Sequence, residues 1–202
     1  MRITRRARAL LPLGLLISAA PPQELPTVFG LSLGKPLSIP VCARKLRPDG
    51  TPSQFVYQDD PAETCSEPDI QLSDAPWRRG NVDFPVKRMP LILHINSGYT
   101  LIVDGKLEGL EFSTLGYANT NGIIDELTAK FGRPTAVRRI TASPSGVPVP
   151  ATHAEWRLLN LHVSYRSIDY SVEYGLLQIE TSKMQALRLA HQRDQERHRT
   201  AL

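Results

Sequence analysis

Ser32 lies in Gly30-Leu31-Ser32-Leu33-Gly34, the spacing of a nucleophile elbow. That motif works where a sharp strand-to-helix turn lifts the serine above a sheet already built upstream. Here little chain precedes it once an N-terminal leader is set aside, and Pro36 follows closely. The pentapeptide therefore reads better as a glycine-flanked extended piece. Ser32-x-x-Lys35 also has the spacing of a serine with a lysine base, but the companion Lys-Thr-Gly is absent. Gly34-Lys35 falls one residue short of a phosphate loop, and Pro36 stands where that loop needs Ser or Thr.

A second constellation is His153, Glu155 and His162. Residues two apart on a strand share a face, so His153 and Glu155 point together, and His162 on a neighbouring strand can approach them. Imidazole and carboxylate suit a zinc-type ion, yet polar residues on the wet face of a sheet are the commoner outcome. The carboxylate pairs have plain structural readings. Asp59-Asp60 precede Pro61 in a loop. Asp125-Glu126 fall in the first turns of a helix, where acids favour the macrodipole and adjacent residues do not share a face. Four aromatic residues, Trp156, Tyr165, Tyr170 and Tyr174, come from adjoining elements and are the candidate partner surface, since such side chains bring apolar area with a polar tip.

Cys42 and Cys65 are the only cysteines. What they do depends on where the chain works, and the first residues bear on that. Arg2, Arg5, Arg6 and Arg8 precede the apolar run Ala9–Ala20, which ends in Ser18-Ala19-Ala20. This is the pattern of a secretory signal peptide cut after Ala20. The run is shorter than the ~20 residues of a spanning helix, and Pro12 interrupts it. No transmembrane segment is expected in the mature chain. The expected compartment is a periplasm, and in that oxidising setting the two cysteines pair as a disulfide. No Cys-x-x-Cys or nearby His accompanies them, so a metal site is the weaker alternative.

Removing the leader also removes the charge excess. The chain has 24 Lys+Arg and 20 Asp+Glu. Four of the arginines lie in residues 1–20, which leaves 20 against 20. A nucleic-acid partner needs a basic face on the mature fold, and net charge supplies none.

The positioning elements divide at about residue 90. Twelve of the seventeen prolines lie in residues 21–90, where they remove backbone donors and argue against long helices and central strands. That part is expected to be irregular and tied by Cys42–Cys65. Residues 91–190 are the expected α+β core. Asp104-Gly105 between two apolar runs predicts a two-residue hairpin, with Ile102 opposite Leu107 and Leu101 opposite Glu108. Ile123, Ile124, Leu127 and Phe131 recur at helical spacing, closed by Gly132 and Pro134. His153–Leu158, Leu161–Arg166 and Val172–Thr181 alternate as a meander. A terminal helix starting near Ser182 uses Met184 and Leu187, and residues 191–202 are too polar to be held firmly.

The unit Ile123–Pro134, ending Lys130-Phe131-Gly132-Arg133-Pro134, resembles the helix–Gly-x-Pro–strand unit of small exported α+β modules. The outer-membrane assembly lipoproteins and the β-lactamase inhibitor protein family contain such units. The resemblance spans about a dozen of the 202 residues and carries no functional residue.

The expectation is an α+β fold: an antiparallel sheet of hairpin and meander packed with one or two helices, behind a proline-rich, disulfide-tied N-terminal part. The expected function is a non-catalytic binding or accessory protein of the cell envelope, without a cofactor, whose partner is another envelope or extracellular protein. The alternative is a small extracytoplasmic hydrolase using Ser32 or a histidine-based metal site.

Overall fold

The computed structural model describes residues 25–71, 74–144 and 146–200. The expected leader, residues 1–20, lies outside them. The strands in chain order are β1 (Thr27–Val28), β2 (Leu31–Ser32), β3 (Arg44–Leu46), β4 (Pro52–Tyr57), β5 (Cys65–Ser66), β6 (Ile70–Gln71), β7 (Arg78–Asp83), β8 (Leu93–Val103), β9 (Lys106–Leu115), β10 (Ala136–Ala142), β11 (Val149–Leu158), β12 (Leu161–Arg166) and β13 (Tyr174–Thr181). The helices are α1 (Thr120–Phe131) and α2 (Ser182–Thr200). Among the described residues one antiparallel sheet runs β10-β11-β12-β13-β9-β8-β7-β5, and β6 also pairs with β7. The architecture is α+β, an antiparallel sheet with two helices.

Period-two alternation decides which side chains meet the core. Ala154 and Trp156 of β11, Val163 and Tyr165 of β12, Leu177 and Ile179 of β13, and Leu110 and Phe112 of β9 all point to one face. Ile123, Leu127 and Phe131 of α1 cover part of that face, and Val28, Leu31 and Leu33 cover more. Gly132 ends α1 at φ 80°, a left-handed conformation that glycine adopts without strain.

The predicted hairpin is present, with Asp104 and Gly105 at φ 49° and 73° and Ile102 opposite Leu107. Its other pair differs. Leu101 meets Gly109, because the ladder slips between Leu101 and Ile102 and leaves Glu108 as the extra residue. The bulge turns Glu108 into the interior, where its carboxylate accepts a 2.5 Å hydrogen bond from the Thr181 hydroxyl just before α2.

The sheet also begins earlier than residue 91. β7 lies between Pro76 and Pro85, so it keeps every backbone donor it needs and pairs with β8 along its whole length. Cys42 and Cys65 form a disulfide. Helix α2 lies on the opposite face of the sheet, where Met184 packs with Ala75, Trp77, Leu101 and Val103 in a second cluster. It continues as far as Thr200, through residues expected to be loosely held. An Asp194–Arg197 pair at i,i+3 and a His191–Gln195 contact at i,i+4 support that stretch. Among the described residues no helix is long and apolar enough to cross a membrane.

Candidate functional site

The face that carries α2 is only partly covered. Beside the helix a cleft of about 410 Å³ opens over β7, β8, β9 and β13. Its origin is a large irregularity in β8. Leu93 pairs with Thr114 and Gly98 with Phe112, so β8 takes five residue steps where β9 takes two. The surplus arches away from β9 and leaves room beneath. The arch is pinned through Asn96, whose side-chain amide donates to the carbonyls of Phe84 and Asp59, each at 2.9 Å. The Phe84 amide returns a 2.7 Å bond to the Asn96 carbonyl.

One wall of the cleft is aromatic. Tyr170 and Tyr174 stack with ring centroids 4.8 Å apart, and His94 of the arch meets Tyr174 edge-on at 4.5 Å. Both arrangements suit the ring quadrupole. Tyr170 sits in the β12–β13 turn, which is closed by the Asp169 amide on the Tyr174 carbonyl and by an Arg166–Asp169 pair at 3.0 Å. Across the cleft stands Tyr99, with the Arg79 guanidinium 3.4 Å above its ring. Its aromatic face is thereby held in one orientation. The floor is backbone at Gly98 and Gly175 with the side chains of Ser97, Ser113 and Leu176.

Arg79 is fixed from below by a charge ladder. Glu111 accepts from Arg79 at 3.4 Å, from Gln178 at 2.8 Å and from Arg188 of α2 at 2.9 Å. Arg188 also pairs with Glu180, a buried carboxyl whose pKa is raised by loss of solvent. The ladder ties the cleft to α2, and strand positions make it rigid.

The sequence-derived candidates part company here. Tyr170 and Tyr174 line the cleft, and Tyr170 is 66 % exposed. Trp156 and Tyr165 do not belong to that surface. Both are fully buried, because strand alternation aims them at the core on the far side of the sheet. The Trp156 indole instead donates to the Gly132 carbonyl at 2.8 Å. Six further cleft residues, Arg79, Asn81, His94, Tyr99, Glu111 and Ser113, were not anticipated as a group. The readable sign was Asn96-Ser97-Gly98 inside an apolar strand, since glycine there marks a bulge or a close backbone approach.

Ser32 occupies an extended strand of the β1–β2 hairpin, not a strand-to-helix elbow. Its turn residues Phe29 and Gly30 have φ 51° and 82°. The Ser32 hydroxyl lies 3.3 Å from that of Thr27, which cannot serve as a base. His153, Glu155 and His162 share one face of β11 and β12, but Glu155 is engaged by Arg157 at 2.9 Å and Arg138 at 3.6 Å. Both histidines are pushed below their ordinary pKa, chiefly by burial. Among the described residues the group with metal-type donors close together is Cys42, Cys65 and Asp83, not this trio. The disulfide commits both sulfurs of that group.

Asp83 faces Cys65 across β5–β7, and its carboxylate lies 3.5 Å from the Cys42 sulfur. Burial, with Glu67 nearby, pushes its pKa up to about 6.

No family model, curated protein or solved structure matches this chain.

Proposed function

We propose that the protein is an exported, non-catalytic binding module of the cell envelope, and that the cleft between Tyr99 and the Tyr170–Tyr174 pair is where it holds its ligand. The observation that carries this reading is a stacked, solvent-facing aromatic pair opposite a third tyrosine fixed by Arg79. Covering exposed aromatic rings takes apolar area out of water, and aromatic anchors dominate binding energetics. Export, to a periplasm, rests on the arginine-flanked apolar leader. An exported protein meets other envelope or extracellular proteins and also the polysaccharides around it.

Benzoylphenylalanine placed at position 170 of the full chain tests the site. After irradiation with a native envelope fraction, a discrete adduct is expected. The same probe at position 91, an exposed leucine outside the cleft, is expected to give none. Equal labelling at both positions would overturn the assignment.

A further inference from the structure

We infer that the ligand of this cleft is a neutral saccharide chain, an inference that rests on the cleft being the binding site.

Charge comes first. The ionic groups that line the cleft are already matched within the protein: Arg79 with Glu111, and Asp169 with Arg166. Glu111 has a second cation in Arg188. At Arg79 an anionic ligand meets a charge that Glu111 already offsets, and its own charge would approach that of Glu111. A cationic ligand meets the same obstacle at Asp169. The cleft offers little net field, so it selects an uncharged ligand.

Most of the remaining polar side chains are hydroxyls, beside the His94 imidazole and the Asn81 amide, which donates to Glu67 at 2.6 Å. Those of Ser97, Ser113, Tyr99, Tyr170 and Tyr174 make no hydrogen bond to another described residue and sit on the lining. A hydroxyl both donates and accepts. It pairs best with a ligand whose own groups do the same, which describes a sugar better than a peptide backbone of fixed donors and acceptors.

The apolar contacts agree. Tyr170 and Tyr174 are stacked with planes 24° apart, so Tyr174 covers one face of Tyr170 and the other face of that exposed ring is left for a ligand. A pyranose ring presents a face of C–H groups carrying partial positive charge, the complement of the negative face of an aromatic ring. Tyr99 supplies a second face across the cleft. A volume of about 410 Å³ lies near the lower end of the ~300–1,000 Å³ usual for small-ligand sites. It suits a few sugar units of a longer chain passing through an open cleft.

The test probes the purified full chain on an array of neutral glycans, then titrates neutral hexasaccharides, including cellohexaose and chitohexaose, by calorimetry. Binding is expected to at least one neutral chain and to change less than about twofold between 0.1 M and 1 M salt, because screening acts on charge. Tyr170→Ala and Tyr99→Ala are each expected to weaken it by about tenfold or more. Their far-ultraviolet circular dichroism and melting temperature should stay close to the parent's, since both rings are exposed. No neutral glycan bound, or binding confined to charged glycans and lost in salt, overturns the inference. If a protein adduct still forms at position 170, the binding module stands and only its ligand class falls. If neither glycan nor adduct appears, both readings fall.

Discussion

The indole N–H of Trp156 donates to the carbonyl of Gly132 at 2.8 Å, so the largest core side chain of β11 also holds the residue that ends α1. One side chain therefore fixes both the depth and the stopping point of the helix. Trp156→Phe keeps most of the buried area and leaves that carbonyl unpaired, which should cost about 1–3 kcal/mol. Trp156→Ala adds a large cavity and should cost about 3–5 kcal/mol. Urea denaturation measures both. A Trp156→Phe variant as stable as the parent would mean that the hydrogen bond contributes nothing.

Cys42 and Cys65 close a loop across a sequence separation of 23. In the chain-entropy account such a crosslink is worth about 3 kcal/mol. The double variant Cys42→Ala/Cys65→Ala should lose roughly that amount. The native protein should resist alkylation until it is reduced. Two thiols that react in the untreated protein would contradict the bond.

Asp83 gives a pH signature. Its folded pKa of about 6 lies above the ordinary 3.8 of an aspartate. Above pH 6 the folded chain carries a charge in a poor setting. As the pH falls from 6 towards 3.8 it takes up a proton that the unfolded chain does not yet bind, so this group adds stability over that window. Asp83→Asn should therefore raise the melting temperature at pH 7.5 and lose that advantage near pH 4. Asp83 is only partly buried and is screened by water, so the gain is on the order of 1 kcal/mol. A gain that is the same at both pH values would point to packing and not to charge.

Arg188 answers two carboxylates, and Glu180 is buried. Arg188→Ala strands that charge and should destabilise by about 3 kcal/mol. Arg188→Met with Glu180→Leu removes both partners and should recover much of the loss. Chemical denaturation of the two variants tells them apart. A double variant as weak as the single one would show that the ion pair is not what matters.

The elements legible in the sequence were those with a local cause. Asp104-Gly105 imposes its turn by dihedral preference, the spacing of Ile123, Leu127 and Phe131 writes out a helical face, and alternation marks β11 and β12. What was not legible depends on slippage between strands. Leu101 meets Gly109 and not Glu108, and the arch of β8 has no periodic signature at all, because a bulge inserts residues that obey neither face. The cleft is a product of that arch, so Tyr170 and Tyr174 could be singled out while Tyr99, Arg79 and Glu111 could not be joined to them. Alternation puts Trp156 and Leu158 on one face of β11, but it does not say which face is wet. Trp156 is buried and Leu158 is exposed at the strand end.

Gly98 has a consequence for how this module can vary. A Cβ there would stand 2.2 Å from the Phe112 ring, and one at Gly175 would stand 2.5 Å from the Thr114 hydroxyl and 2.7 Å from the Arg166 carbonyl. The floor of the cleft is therefore the outer skin of the core and cannot be recut without repacking the interior. Tyr99, Tyr170 and His94 stand on exposed positions with no such debt. Substitutions at the rim can therefore reshape the cleft while the bed beneath it stays fixed by the packing of Phe112 and Thr114.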